Sequence, residues 1–247
     1  MQRFFTTMCA IFVFALFYPS FGYEPMRIVH CPSAGIPLNG EVVLDVLSYP
    51  EGGLRAGLAL GLWDRLDIEV SYGATNLIGK GKIKPEPMPQ WTVKFRAIDE
   101  TQKSPAVAIG VDTRGFGEYD STEKRYEHKS RGLFVVTSRN WIFWEVEVSG
   151  HLGMNYSFEE RLKKGFSIYC GTTLTLYGRG GISIEYDLAP GDNKAPFGRG
   201  RGYLSTGFFL NFAKNSWLYF NLFDLLSNKP QDNPIGREIR VVFLTHI

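Results

Sequence analysis

The stretch that decides the fold is Leu54-Arg55-Ala56-Gly57-Leu58-Ala59-Leu60-Gly61-Leu62. Its leucines alternate with arginine, glycine and alanine, so successive side chains point to opposite faces of an extended strand. After Asp64-Arg65 the same period of two returns, with Leu66, Ile68, Val70 and Tyr72 opposite Asp67, Glu69, Ser71 and Gly73. The pattern indicates two β-strands joined by a tight turn, each with one apolar and one polar face.

The same alternation recurs along the rest of the chain. Three further clear runs cover 91–97, 142–149 and 182–188, and weaker candidates cover about 40–49, 105–112, 131–138, 164–172, 202–212, 216–225 and 236–247. A composition with 27 Gly and 15% aromatic residues also favours strands and turns. The sequence predicts an all-β fold, a single antiparallel up-and-down transmembrane β-barrel of about twelve strands.

The connections between these strands alternate between short and long. Asp64-Arg65 and 138–140 are short, whereas 74–90, 113–130 and 189–200 are long; the short Pro50–Gly53 connection is the exception. Outer-membrane barrels sort their connections in this way, with short turns in the periplasm and long loops outside. A soluble β-sandwich has no reason to do so.

If the apolar rows face lipid, two sets of side chains can be assigned a position in the barrel. Charged residues on the polar faces are predicted to line the lumen: Asp67, Glu69, Lys94, Arg96, Glu145, Glu147, Glu185 and Asp187. Aromatic residues near strand ends are predicted to lie at the membrane interfaces: Tyr49, Tyr72, Trp91, Tyr186 and Trp217. Asp67 and Glu69 are expected beside Lys94 and Arg96, where opposite charges satisfy each other.

The first residues have the features of a secretory signal. Arg3 supplies positive charge, an apolar stretch runs from Phe4 to Phe17, and Ser20 and Gly22 are small residues of a cleavage site. We therefore expect a signal peptide over 1–22, a periplasmic lead over 23–39 and the barrel over 40–247. The expected location is the outer membrane of a diderm bacterium.

Charge and cysteine content exclude other classes of protein. A formal net charge of +2 argues against an electrostatic nucleic-acid binder. After cleavage two cysteines remain, Cys31 and Cys170, and whether they pair stays open; the alternation around Cys170 favours a small apolar role. No Cys/His spacing indicates a metal site, and no cofactor is predicted.

Several segments resemble a known family. They are Ser48–Gly53, Val70–Gly79, Phe95–Glu100 and Pro105–Thr113, and they are similar to YjbH-like outer-membrane β-barrel proteins. The resemblance spans roughly residues 40–247. It implies an outer-membrane barrel and an association with exopolysaccharide biosynthesis or export.

One constellation raises the question of catalysis. Ser149 and His151 are two residues apart on one strand face, near Glu145 and Glu147, and Ser, His and carboxylate are the components of nucleophilic hydrolysis. Adjacent Ser and His residues are common without catalysis, so we predict that the protein is not an enzyme. An outer-membrane lipid hydrolase using this pair is the alternative.

The predicted function is that of a passive channel or a structural component of the envelope. The expected partners are outer-membrane lipid, lipopolysaccharide and the outer-membrane assembly machinery, with no nucleic acid. Lys80, Lys82 and Lys84 either contact lipopolysaccharide or form a solvated loop. A soluble exported binding module with its apolar faces inside is the remaining alternative.

Overall fold

A computed structural model describes residues 24–159, 166–193, 197–230 and 235–247. The expected signal peptide lies outside these residues. The strands are β1 Glu41–Tyr49, β2 Gly53–Leu62, β3 Leu66–Thr75, β4 Lys84–Pro85, β5 Gln90–Ile98, β6 Ala106–Asp112, β7 Phe116–Asp120, β8 Arg125–His128, β9 Gly132–Phe143, β10 Val146–Tyr156, β11 Phe166–Leu176, β12 Gly180–Asp187, β13 Tyr203–Ala213, β14 Ser216–Phe223 and β15 Gly236–His246.

Twelve long strands close into one barrel, which confirms the predicted fold class. Each pairs with the next long strand along the chain, β3 with β5 and β6 with β9 included, and β15 returns to β1. The closing seam runs from Glu41 opposite His246 to Ser48 opposite Ile239. The strands β7 and β8 form a separate two-stranded sheet within a loop. The single helical element in the described ranges is the 3₁₀ turn Pro190–Asp192, and none of their helices is long and apolar enough to cross a membrane.

The apolar rows face outward and the polar rows face inward. In β2 and β3, Leu58 is 56% exposed and Val70 is 51% exposed, whereas Arg55 and Glu69 are 4% and 2% exposed. A water-soluble barrel would bury the first pair and expose the second. Hydrocarbon around the barrel requires the observed arrangement. The structure therefore contradicts the alternative of a soluble binding module.

The connections separate the barrel into two different ends. We call the end with the turns 63–65, 99–105, 144–145, 177–179 and 214–215 the turn end, and the opposite end the loop end.

One predicted run is wrong: residues 142–149 do not form one strand, since the chain reverses at Trp144-Glu145 between β9 and β10. Alternation continues through this two-residue turn, so the sequence pattern conceals it.

The residues expected to form a periplasmic lead lie inside the barrel. Residues 24–37, which we call the N-terminal hairpin, enter at the turn end, reverse at Ile28–Cys31 and return to the turn end before β1. The reversal is closed by the Ile28 amide donating to the Cys31 carbonyl at 2.9 Å. Residues from Met26 to Ile36 are almost fully buried. The prediction of a periplasmic lead is therefore corrected for residues 24–37, which lie in the lumen because the lumen wall supplies partners for them.

A second hairpin closes the loop end. The strands β7 and β8, together the outer hairpin, belong to the long connection between β6 and β9. The ring of Phe116 stacks on that of His30, with centroids 4.2 Å apart. The tip of the N-terminal hairpin therefore meets the base of the outer hairpin inside the barrel.

Candidate functional site

The predicted lumen charges divide into an inner group and a turn-end group. Asp67, Glu69, Lys94, Glu185 and Asp187 point inward and are at most 2% exposed. Lys94 lies directly opposite Asp67 in the register, with Nζ 3.6 Å from the carboxylate. This places five charged groups in the sealed part of the lumen.

The other three predicted lumen residues lie towards the turn end. Arg96 is partly buried and forms an ion pair with Glu24 of the N-terminal hairpin. Glu147 is half-buried and lines a turn-end cavity of about 330 Å³. Glu145 is exposed and lies in the turn between β9 and β10, so its assignment to the lumen is wrong; a turn residue has no lumen face.

The predicted interfacial aromatic residues also fall into two groups, one on the outer surface and one in the lumen. Tyr72 and Trp91 are 48% and 43% exposed on the outer surface, and Tyr186 is half-buried there, with its hydroxyl donating to the Arg201 carbonyl at 3.0 Å. Tyr49 and Trp217 are both 4% exposed and point inward, which corrects their assignment to the lipid interface.

For Trp217, the reason for this inversion is the N-terminal hairpin; Tyr49 instead turns its ring towards Arg55, whose Cζ lies 5.7 Å from the ring centroid. Trp217 belongs to a buried cluster with Met26 of that hairpin, together with Val43, Ala59, Phe209, Tyr219 and Val242. The hairpin carries apolar side chains into the lumen, so the wall that faces them is apolar as well.

The tip of the N-terminal hairpin binds one carboxylate of the wall. Glu185 Oε2 accepts hydrogen bonds from the backbone amides of Val29, His30 and Cys31, at 3.0, 3.1 and 2.8 Å. Successive amides that converge on one point form a concave anion site. The turn Ile28–Cys31 therefore needs a negative charge opposite it, and β12 supplies one. Glu185 was predicted as a lumen charge, but this role depends on a partner that the sequence pattern does not reveal.

Further polar contacts hold the flanks of the hairpin. Arg27 Nη1 lies 2.8 Å from the Asp112 carboxylate of β6. Lys94 Nζ donates to the Met26 carbonyl at 3.2 Å, and Arg96 Nε donates to the Ala34 carbonyl at 3.0 Å. These contacts come from the adjacent strands β5 and β6, whereas Glu185 belongs to β12, so the hairpin is bound by two separate parts of the lumen wall.

His30 joins the hairpin to the last strand and to the aromatic residues of the loop end. Its Nε2 lies 2.7 Å from Glu238 Oε2 of β15. Its ring also packs near Phe223, at 4.7 Å between centroids, and near His128, at 5.8 Å. His30 therefore marks the point where the hairpin, the wall and the outer loops meet.

The outer hairpin is held by charged groups of neighbouring loops. Arg125 Nη2 donates to Asp192 Oδ1 at 2.8 Å, and both side chains are buried. Burial opposes the charge of Asp192, but His128, Lys129 and Arg125 outweigh it and hold the pKa of this carboxyl below its usual range. Burial, reinforced by the charge of Arg131, lowers the pKa of His128 to about 3. The imidazole of His128 is therefore neutral at pH 7.

Ser149 and His151 do not form a catalytic triad. Both face the interior, and His151 Nδ1 lies 2.8 Å from the Ser138 hydroxyl of β9 rather than bonding to Ser149. Within the described ranges no ion pair joins His151 to a carboxylate, although a triad requires one to orient the base. The pair belongs to the wall of the turn-end cavity.

The two cysteines are far from forming a bridge. Cys31 is fully buried in the N-terminal hairpin and Cys170 is exposed on the outer face of β11, and both thiols are free. Cys31 acts as a small apolar side chain in the lumen, where it packs in a buried cluster with Ile28 and Tyr169.

The fold resembles that of solved outer-membrane barrels. The KdgM porin superposes with a TM-score of 0.50 at 8% sequence identity, covering 83% of this chain and 99% of that chain. A structure of the KdgM porin in complex with disordered oligogalacturonate gives the same values. Omp33 of Acinetobacter baumannii superposes with a TM-score of 0.48 at 8% identity, over 82% and 96% of the two chains. No family model and no curated protein matches the sequence. The chain thus has the outer-membrane β-barrel fold of porins.

Proposed function

We propose that the protein is a passive outer-membrane channel that is closed by its own N-terminal hairpin. The observation that carries this proposal is the combination of an apolar outer surface with a lumen wall of buried charges, such as Asp67, Lys94 and Glu185. The wall charges bind the hairpin through hydrogen bonds and ion pairs. Water and polar solutes replace such bonds, so a lumen of this kind remains compatible with an aqueous pore once the hairpin leaves.

The proposed location is the outer membrane, after removal of the first 22 residues as a signal peptide. The apolar outer band supports this location, and so does the porin-type fold. Lipopolysaccharide is the proposed partner of the loop end, where Lys80 and Lys82 are exposed and Lys84 pairs with Glu118 at 2.6 Å. The resemblance to YjbH-like proteins supports a link to exopolysaccharide export, and assembly is assigned to the outer-membrane assembly machinery.

We assign no catalytic activity to the barrel. Hydrolysis by Ser149 would require His151 as its base, and the contact between His151 and Ser138 leaves that arrangement unformed. A lipid-hydrolysis assay with Ser149→Ala as the control tests this: any activity that the variant abolishes would establish the enzyme.

The experiment for the channel is electrical recording of the reconstituted full chain in planar bilayers. We expect long closed periods in the wild type, with discrete conductance steps when the N-terminal hairpin is released by applied voltage or by 2 M urea. A bilayer that stays silent when the hairpin is demonstrably outside the barrel, as shown by its cleavage with a protease, would exclude the channel. In that case a structural role in the envelope would account for the fold.

A further inference from the structure

A broad groove crosses the outer surface of the barrel at the turn end. It has a volume of about 1170 Å³, and we call it the rim groove because it extends from the lipid-facing surface to the turns 144–145 and 177–179. Its apolar lining comes from outward side chains of β12, β13 and β14, among them Ile182, Phe208 and Phe220. All three are exposed, so an acyl chain that lies in the groove can contact them.

Glycines keep the edge of the groove free of side chains. Gly178 belongs to the turn between β11 and β12, and Gly180 and Gly181 begin β12. The rim groove shares three lining residues with the turn-end cavity of the lumen, namely Glu147, Gly178 and Phe209. The lipid-facing groove and the polar cavity therefore adjoin at this edge of the barrel.

Two exposed aromatic side chains flank the groove at the level of the turns. Trp144 is fully exposed in the turn between β9 and β10, and Tyr177 is exposed in the turn between β11 and β12. Trp and Tyr prefer the boundary between hydrocarbon and headgroups, and the short turns of such barrels face the periplasm. The edge of the groove is therefore expected at the headgroup level of the periplasmic leaflet.

The groove also carries unpaired charges of both signs. Arg179 is half-buried, and its guanidinium has no hydrogen-bond or ion-pair partner among the residues that the structure describes. Glu147 on β10 is half-buried and, within the same residues, also lacks a partner for its carboxylate. The other two carboxylates of the turn-end cavity, Glu24 and Glu100, each have an arginine partner. A partly desolvated charge without a partner costs free energy, which an opposite charge on a ligand recovers.

We propose that the rim groove binds one membrane phospholipid that carries both a phosphate and a primary ammonium group. The phosphate bonds to Arg179, because a guanidinium donates to phosphate oxygens in a bidentate geometry. The ammonium donates to Glu147, and an acyl chain lies on Ile182, Phe208 and Phe220. This arrangement places each charge of the headgroup against an opposite charge of the groove.

The proposed ligand class is distinguished from other lipids by its ammonium group. Phosphatidylethanolamine supplies both charges, whereas phosphatidylglycerol supplies the phosphate and leaves Glu147 without a partner. The inference goes beyond the proposed channel and does not depend on conduction. It requires only the lipid-facing outer surface of the barrel.

Native mass spectrometry of the full chain in detergent micelles tests the site. The protein is titrated separately with phosphatidylethanolamine and phosphatidylglycerol that have identical acyl chains. We expect saturable binding of one phosphatidylethanolamine molecule, about tenfold tighter than binding of phosphatidylglycerol. A statistical series of adducts that is the same for both lipids would identify ordinary lipid around the barrel and overturn the proposal.

Two variants assign the two halves of the headgroup. Arg179→Gln removes the phosphate partner, so we expect the affinity for both lipids to fall about tenfold. Glu147→Gln removes only the ammonium partner, so the affinity for phosphatidylethanolamine should fall to that of phosphatidylglycerol, whose own affinity should not change. Neither substitution breaks a side-chain contact within the described residues. A general loss of structure would instead weaken both lipids in Glu147→Gln.

Matched controls remove the same charges outside the groove. Lys103→Gln, in an exposed turn at the same end, is the control for Arg179→Gln, and Glu123→Gln, at the loop end, is the control for Glu147→Gln. Both should bind like the wild type. Slower migration of each protein after boiling, compared with the unboiled sample, verifies that the barrel is folded.

The proposal is wrong if Arg179→Gln retains the wild-type affinity or if Glu147→Gln keeps the preference for phosphatidylethanolamine. The mass measurement reports binding whether or not the barrel conducts. A protein that binds this lipid but never conducts therefore retains the site and loses the channel, and one that conducts without selective lipid binding loses only the site.

Discussion

The two hairpins close the same lumen from opposite ends, but they are held in different ways. The N-terminal hairpin places three backbone amides on Glu185 and is buried almost throughout. The outer hairpin depends on side-chain ion pairs, from the buried Arg125–Asp192 pair to the half-exposed Lys84–Glu118 pair. Backbone amides cannot be screened or rearranged as long side chains can. The N-terminal hairpin should therefore respond to loss of one carboxylate, and the outer hairpin to pH and salt.

The largest expected effect is that of Glu185→Ala. The substitution leaves three buried amide donors unsatisfied, at a cost of about 1–3 kcal/mol each. Even one such loss raises the population of the open state about tenfold. We expect a matching rise in open probability in planar bilayers. Ser183→Ala, two residues earlier on the same inward face of β12, is the control and should stay closed. Equal open probabilities for the two variants would refute Glu185 as the anchor.

A disulfide that fixes the N-terminal hairpin should abolish opening. A Cβ added at Gly207 of β13 would lie 3.7 Å from Val29 Cγ2 and would crowd the Asn221 side-chain amide rather than backbone, which suits a bridge between Val29→Cys and Gly207→Cys in a Cys31→Ser, Cys170→Ser background. Under oxidising conditions we expect no conductance even in the presence of Glu185→Ala, and recovery of conductance on reduction. Conductance that persists in the oxidised protein would show that solutes pass without movement of the hairpin.

Acid should loosen the outer hairpin before it affects the N-terminal hairpin. The folded-state pKa of His128 is about 3, below the value of about 6.5 in an unfolded segment. Because the pKa of His128 is lowered in the folded hairpin, the opened hairpin binds the proton more readily as pH falls. The stabilisation of the closed outer hairpin is therefore complete above about pH 6.5 and declines as pH falls towards 3. Asp192, whose pKa is also lowered, adds a loss only below about pH 4.

Hydrogen exchange of residues 116–128 between pH 7 and pH 4.5 measures this effect. The groups that face His128 are Asp192, Arg131 and His30. Glu159 accepts hydrogen bonds from the Tyr126 and Ser130 amides, and burial raises its pKa, so its protonation stabilises the folded hairpin as pH falls and does not cause a loss of protection. After correction for the intrinsic pH dependence of exchange, protection should fall with pH in the wild type and should not fall in His128→Gln. His246→Gln, at the exposed turn end, should behave like the wild type. A level profile in the wild type would rule out His128 as the responsive group.

The smallest expected effect belongs to the half-exposed pair of the outer hairpin. Lys84→Ala should change the free energy of opening by less than about 1 kcal/mol, because solvent and salt screen such pairs. Lys124→Ala removes the same charge from an exposed position of the outer hairpin and serves as the control. A substantially larger effect of Lys84→Ala, measured by hydrogen exchange at 0.15 M salt, would contradict the distinction drawn between the two hairpins.

The strands of the barrel are predictable from sequence because the alternation that defines them involves residues that are close together in the chain. A period of two assigns each residue of β2 and β3 to one face, and lipid fixes which face is apolar. The same reasoning expects Asp67 and Glu69 beside Lys94 and Arg96. Asp67 does lie opposite Lys94, whereas Glu69 pairs with Arg114 and Arg96 pairs with Glu24. The reasoning fails at Trp144-Glu145, where a short turn preserves the alternation.

The contents of the lumen are not predictable in this way. Arg27 and His30 find their partners on β6 and β15, at separations of 85 and 208 residues, and no local pattern encodes such contacts. The available signal was composition: a segment with Met26, Ile28, Val29 and Ile36 is too apolar for an exposed lead. The inward Tyr49 and Trp217 were misassigned because they contribute to the lumen that this segment fills.

The position of the N-terminal hairpin immediately before β1 constrains how the barrel is assembled. β1 completes the ring by pairing with β15, and the Ile247 amide donates to the Gly40 carbonyl at the base of the hairpin, at 3.0 Å. The hairpin is thus enclosed by a ring whose closing strand, β15, is made after the other strands of the barrel. Because both ends of the hairpin lie at the turn end, the hairpin can enter or leave a finished ring through that end, so closure of the wall and docking of the hairpin are separable steps of assembly.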